Sequence, residues 1–297
     1  MSRCLRSISA DNFSSSGWRT DIKVAIQGYE GSFHQMAAQN YFGRSVQVLP
    51  CDTFKEVVTL ASDANKSNGG IMAIENSIAG SIISNYNLLR KSDVSITGEV
   101  YLQVNQNLLV NPGVKLEDIR EVHSHRMAIL QCLRFLDQYD WKIVETDDTA
   151  LSARNIQRDG SRHIAAIAST YAAELYGLDV LAPDIQTLKN NYTRFLILER
   201  DANISQKNNV NKASLNFHVG HEIDSLAKLL SKIAECGVTL AKLQSFPIPD
   251  SIWKYFFYAD LEFENADHFY TMIEAVKPLT REIELFGLYN KGLTIAQ

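Results

Sequence analysis

The sequence predicts an α/β protein that ends in a smaller ferredoxin-like unit. Three observations lead there. Between residues 23 and 198, short apolar runs alternate with stretches of helical period, the grammar of βα units. Residues 201–211, D-A-N-I-S-Q-K-N-N-V-N, are polar and rich in asparagine with no apolar period, and they read as a linker. Beyond them the segments follow the order βαββαβ. A length of 297 residues suits about two domains.

The elements follow in order. K-V-A-I-Q at 23–27 is a short buried strand that stops at Gly28, and a helix runs from about 33 to 41. Asp52 or Thr53 caps another helix that has Glu56 in its first turn. Residues 70–74 form an apolar strand ending in Glu75-Asn76-Ser77. Strands are expected at 100–104 and 108–110, a helix at 127–139 after His123-Ser124-His125, a strand at 141–144 and a helix at 149–159. A small-residue strand at 164–168 leads into a helix at 170–176 that Gly177 closes, and residues 196–198 complete this part. The alternation implies a mostly parallel sheet, with ligands beyond the C-terminal strand ends. The last unit has strands at 212–219, 238–246, 253–262 and 283–289 and helices at 223–236 and 266–276. Its four-stranded antiparallel sheet, with both helices on one face, leaves the other face or its edges for homodimerisation.

Composition excludes several classes. A net charge of −5 gives no footprint for nucleic acid or an anionic membrane, so an anionic ligand must be attracted by a local group of donors. No run of 18 apolar residues exists to span a membrane. Cys4, Cys51, Cys132 and Cys236 form neither a CxxC pair nor a disulfide framework. Cys132 and Cys236 fall on apolar helical faces as core thiols, and a reducing cytoplasm fits. Residues 1–20 carry three arginines, six serines and one acid, which suits a disordered tail, with an organelle-targeting segment as the alternative.

The candidate chemistry lies in polar motifs at strand ends and helix starts. In Asn190-Asn191-Tyr192-Thr193-Arg194-Phe195 a hydroxyl sits beside a guanidinium. Arginine grips carboxylates bidentately, and a neighbouring threonine can donate to the reacting end of the same ligand. A surface turn with a solvated Arg194 is the alternative. Asn76 and Ser77 orient a ligand or cap a helix. Ser124 contacts a ligand or caps the next helix, and Gln131 matters if that helix faces a cleft. His123 and His125 lack partners at metal-binding spacing. The turn G-Y-E-G-S-F at 28–33 has neither dinucleotide nor P-loop spacing, so no nucleotide cofactor is expected, and no metal.

Together G-Y-E-G-S-F (28–33), E-N-S-I-A-G (75–80), S-H-R-M-A-I-L-Q-C (124–132) and T-R-F (193–195) resemble the prephenate dehydratase family, and 212–289 resembles its ACT regulatory domain. The resemblance implies a two-lobed, periplasmic-binding-protein-like catalytic region over 21–200, with lobes at about 23–98 plus 182–200 and at 99–181, followed by the 201–211 linker and an ACT domain over 212–297. It implies loss of carbon dioxide and hydroxyl from prephenate to give phenylpyruvate for phenylalanine biosynthesis. The family's catalytic threonine falls on Thr193, and its cleft asparagine, serine and glutamine on Asn76, Ser124 and Gln131. Thr193, Asn76 and Ser77 are the expected catalytic residues. Arg194, Phe195, Ser124, Gln131, Ser32 and Glu75 are the expected contacts of a small dicarboxylate substrate, with no cofactor.

The sequence departs from the family at Arg126 and Met127, where proline and glutamine are usual, at Asn87 in place of an aspartate, and at Tyr29 and Glu30. The phenylalanine site is degenerate. Its G-A-L segment matches only at Leu226, and E-S-R-P reads Gln244-Ser245-Phe246-Pro247, so arginine and glutamate are both lost. An amino-acid ligand needs its charged ends met, so phenylalanine as effector is expected to act weakly. A homodimer or homotetramer is expected. Two rivals remain: an arogenate dehydratase that forms phenylalanine directly, and a non-catalytic small-anion or amino-acid sensor.

Overall fold

A computed structural model describes residues 22–200, 210–220, 222, 224–248, 255–292 and 294–295. The expected tail at 1–20, most of the 201–211 linker, and the starts of the strand at 253 and the helix at 223 lie outside these residues.

The first lobe contains β1 (Lys23–Gln27), α1 (Phe33–Phe42), β2 (Gln47–Cys51), α2 (Phe54–Ala61), β3 (Gly69–Asn76), β4 (Gly80–Ser81), α3 (Ile83–Arg90) and β5 (Val94–Gln103). The second contains β6 (Asn107–Val110), β7 (Glu121–His125), α4 (Arg126–Gln131), α5 (Leu133–Leu136), β8 (Lys142–Thr146), α6 (Thr149–Arg158), β9 (Ile164–Ala168), α7 (Thr170–Tyr176) and β10 (Asp179–Ala182). The chain then returns to the first lobe as β11 (Tyr192–Arg200). The last unit is β12 (Lys212–Val219), α8 (Ser225–Glu235), β13 (Thr239–Pro247), β14 (Tyr255–Glu262), α9 (Ala266–Val276) and β15 (Thr280–Tyr289), and β16 (Thr294–Ile295) rejoins the first sheet beside β5.

Helix starts follow the sequence closely. Ser32, Thr53, Asp148 and Ser169 each accept an N–H from the first turn of α1, α2, α6 and α7, offsetting donors that a helix end leaves unpaired. Gly177 ends α7 in the left-handed region, as expected of a glycine at that position.

The sheets are mixed rather than mostly parallel. The first runs β16-β5-β11-β3-β1-β2 with β4 beside β3, and β11 is antiparallel to both β3 and β5. The second runs β10-β6-β9-β7-β8, with β6 antiparallel to β9 and β10. The chain leaves the first lobe on β5 and comes back beside it on β11, so the two passes run in opposite senses. The expected break at 98/99 falls inside β5, and the crossings lie at 104–106 and 183–191.

The third sheet, β13-β14-β12-β15, has the ferredoxin-like order. Side chains alternate across it. Ala213, Leu215, Phe217 and Leu261 pack on the helices, with Leu229, Ile233, Phe269 and Met272 opposite. The other face is not free, as the sequence suggested. Phe246, Phe256, Tyr258, Phe286 and Tyr289 share one core with Met72, Ile74, Tyr86, Ile96, Leu196 and Leu198 of the first lobe. Cys132 is a core thiol whose burial pushes its pKa up to about 12, whereas Cys236 is half-buried at the end of α8.

Candidate active site

A cavity of about 610 Å³ opens between the lobes, a size typical of small-molecule sites. It is lined by strand ends of the first lobe, at Gln27, Asn76 and Thr193, by Gln106 of the crossing, and by His125, Gln131 and Asp148 of the second lobe.

Thr193 and Asn76 face each other in register on β11 and β3. The Asn76 amide has one orientation: Oδ1 accepts the N–H groups of Ile78 (3.0 Å) and Ala79 (2.9 Å). Its Nδ2 therefore faces β11, donating to Thr193 Oγ1 (3.0 Å), Asn191 Oδ1 (2.7 Å) and the Tyr192 carbonyl (3.2 Å). Because Thr193 Oγ1 receives a hydrogen bond, its own proton is left for a different acceptor, and the residue lines the cavity. The chain of amides continues into the second lobe. Gln131 Oε1 accepts from Asn191 Nδ2 at 3.0 Å and from Gln106 Nε2 at 3.3 Å.

Among the described residues no lysine or arginine lines the cavity, while Asp52, Asp147 and Asp148 do. Positive potential comes instead from helix starts: α1, α2 and α6 begin at the wall, with Ser32, Thr53 and Asp148 as their caps. Each such end carries roughly half a positive charge. Burial pushes the Asp148 carboxyl above its ordinary range even though backbone N–H groups of Leu151 and Ala150 support the charge. His34 packs between Phe54 and Phe195, and burial lowers its pKa to about 3. Its Nε2 accepts the Ala73 N–H (3.4 Å), so the neutral ring carries its proton on Nδ1.

The glycine turn closes the lobes on each other. Gly31 and Glu30 carbonyls accept from Ser169 Oγ (2.8 Å) and Tyr176 OH (2.6 Å) of the second lobe. Gly28 has φ +90, and a Cβ there would meet Asp148 Oδ2 at 2.6 Å.

Of the expected residues, Thr193, Asn76, Phe195, Gln131 and Ser32 meet at the cavity. Four do not. Arg194 points through the sheet to its other face, because strand neighbours alternate. There it is 5% exposed and donates to Glu99 Oε2 (2.7 Å), to Asp260 and to the Tyr289 hydroxyl (3.0 Å), on the side of the sheet away from the cavity and any substrate in it. Burial works against the Asp260 charge, and the Arg194 guanidinium outweighs it, holding that carboxyl below its usual range. Glu75 alternates with Asn76 in the same way and pairs with Lys242. Ser124 lies inside β7 and donates to the Ile167 carbonyl (2.7 Å), leaving His125 at the wall. Ser77 holds the start of β11, accepting from the Tyr192 N–H (2.9 Å) and donating to the Asn190 carbonyl (3.1 Å).

The expected effector residues do not converge. Leu226 packs into the helix-side core, while Phe246 is buried on the opposite face of the sheet against Tyr86 and Phe256. Ser245 and Pro247 are exposed beside a half-buried Gln244. His34, Gln106 and Asp148 join the site without a sign strong enough to mark them in the sequence, and Asn191, within the Asn190–Phe195 motif, gains a role of its own only in the fold. The polar N-Q-N at 105–107 between two apolar strands was the available sign for Gln106.

A family model described as prephenate dehydratase matches residues 24–203. The chain belongs to the prephenate dehydratase family. It is accordingly an enzyme, a lyase. An arogenate dehydratase/prephenate dehydratase of Arabidopsis thaliana, a chloroplastic protein, is 35% identical over 269 residues, covering 86% of this chain and 68% of that one. A prephenate dehydratase from Staphylococcus aureus has a similar structure (TM-score 0.77, 25% identity, covering 91% and 100% of the two chains). So does GqqA, described as a quorum-quenching acylase (TM-score 0.82, 27% identity, covering 91% and 98%). Among the described residues no helix is long and apolar enough to cross a membrane.

Proposed function

We propose that the cavity converts prephenate to phenylpyruvate, water and carbon dioxide, with Thr193 at the departing hydroxyl. The observation that carries this is the fixed Asn76 amide, which donates to Thr193 Oγ1 and leaves the threonine proton to point elsewhere. In the reaction the bond from the ring carbon to its carboxylate breaks and its electron pair completes the aromatic ring. That aromatisation requires the C–O bond to break in the same movement, its pair leaving on oxygen, which takes up one proton and departs as water. A hydroxyl is a poor leaving group until a donor supports the growing charge. Thr193 is such a donor, and the hydrogen bond from Asn76 increases its strength.

Phe195 and His34 form an apolar wall for the ring, and Ser32 and Gln131 offer polar contacts. The substrate carboxylates face the positive ends of α1, α2 and α6, a role first expected of Arg194. Purified protein given prephenate, without metal or nucleotide, should release phenylpyruvate; no release would overturn the proposal.

One observation favours arogenate as a second substrate. Asp52, Asp147 and Asp148 line the cavity, and a carboxylate suits the ammonium that arogenate carries in place of the keto group. The ratio of kcat/KM for the two compounds decides.

The C-terminal βαββαβ unit, over 212–297, is in this proposal an ACT regulatory domain attached to the two catalytic lobes. Phenylalanine binds it weakly, since Phe246 fills the place of the family's arginine and is used in the core shared with the first lobe. Calorimetric titration should detect no tight binding, and strong inhibition by phenylalanine would refute this. Edge strands β13 and β15 remain for a homodimer or homotetramer, and the cytoplasm is the proposed location.

A further inference from the structure

Behind the Thr193–Asn76 pair, the two strands carry a second pair in register, Arg194 opposite Glu75. Both of these side chains leave the cavity side of the sheet, and both end on the C-terminal unit. Arg194 meets Asp260 of β14 and Tyr289 of β15, and Ser214 of β12 completes the network by donating to Asp260 and sharing a 2.6 Å hydrogen bond with Tyr289. Glu75 meets Lys242 of β13. Lys242 also donates to Ser81 Oγ at 2.8 Å. Ser81 pairs with Glu75 across the turn at 76–80, and that turn presents the Ile78 and Ala79 N–H groups that fix the Asn76 amide.

We infer that Lys242 and Asp260 are positioning residues: from behind the first-lobe sheet they hold Asn76 and Thr193 in register, Lys242 through Glu75 of β3 and Ser81 of β4, and Asp260 through Arg194 of β11. Neither touches substrate. The ammonium of Lys242 is mostly buried (14% exposed) and the Glu75 carboxylate less so (34%), so their contact is only partly screened by water. Asp260 is 1% exposed and bound by three donors, so it has one conformation. The C-terminal unit thus completes the active site from behind. Its effect should fall on the alignment of the reacting hydroxyl and not on the cavity that receives the substrate.

This rests on the dehydratase function proposed above. Lys242 is the residue to test, because Asp260 lies deep enough that its loss would threaten folding. K242M and E75Q should each lower kcat on prephenate roughly five- to twentyfold with KM within about twofold, the alignment losses expected of a displaced donor. The charge-exchanged double variant E75K/K242E should recover most of that loss. K277A, which removes an exposed lysine of the same unit that pairs with its helical neighbour Glu274, should match wild type. A second measurement does not depend on turnover. Amide hydrogen exchange over residues 74–82 should accelerate in K242M while the rest of the first lobe stays unchanged. Wild-type exchange there, or wild-type kcat in both single variants, would overturn the inference. A wild-type protein that leaves prephenate intact would refute the dehydratase proposal instead, and the exchange data would still decide this one.

Discussion

Replacing Thr193 with valine isolates the hydroxyl at almost constant shape. The structure bounds what the change does to folding. Thr193 Oγ1 accepts one hydrogen bond, from Asn76 Nδ2, and that amide keeps Asn191 Oδ1 and the Tyr192 carbonyl as acceptors. No buried donor is orphaned, so the cost is that of one ordinary hydrogen bond, about 1 kcal/mol. A domain stable by roughly 5–15 kcal/mol remains folded. The chemical step loses a donor aligned with the leaving oxygen, and comparable deletions cost about 10²–10³ in kcat, or roughly 2.7–4 kcal/mol. T193V should therefore lose two to three decades of kcat with a nearly unchanged melting temperature. T193S, which keeps the hydroxyl, should stay within about tenfold. The assay is phenylpyruvate release under saturating prephenate, with thermal unfolding measured on the same preparations. A T193V enzyme that is folded and retains more than a fifth of wild-type kcat would remove threonine from the chemistry.

Three further outcomes follow from the same geometry. R194M should behave as a broken buried ion pair, losing about 3–5 kcal/mol of stability in denaturant unfolding, with KM little changed; a hundredfold rise in KM would restore Arg194 to the substrate. His34 is neutral in the fold down to about pH 3, whereas the unfolded chain protonates it near 6.5, so between these values the unfolded state holds one more proton and stability falls as pH falls. Wild type should lose about 2 kcal/mol more than H34Q between pH 7.5 and pH 5 in urea unfolding, and equal losses would count against a buried neutral imidazole. G28A places a methyl group on Asp148 at a position with φ +90, and it should raise KM by holding the lobes apart; wild-type KM would show that lobe closure tolerates it.

What the sequence revealed and what it hid divide along one physical line. Helix caps are local, so Thr53 and Gly177 were readable from neighbours three or four residues away. The βαββαβ order was readable because each segment carries its own period. The sense of β11 was not, because it depends on where the chain re-enters the first lobe after the second has formed. The role of Arg194 failed for a related reason. In an irregular turn, neighbours 193 and 194 can point to the same ligand, but in a strand they cannot, and the apolar run at 196–198 marks only the middle of the strand. Once β11 is seen to start at Tyr192, alternation alone sends Thr193 and Phe195 into the cavity and Arg194 out of it. The same step moves Glu75 away from Asn76 and Ser124 away from His125. A motif such as T-R-F or E-N-S therefore mixes two functions in adjacent letters: one residue faces the reaction, and its neighbour fastens the strand to whatever lies behind the sheet. Behind the first-lobe sheet lies the C-terminal unit, so Arg194 and Glu75 are accounted for by domain attachment and need no direct contact with substrate.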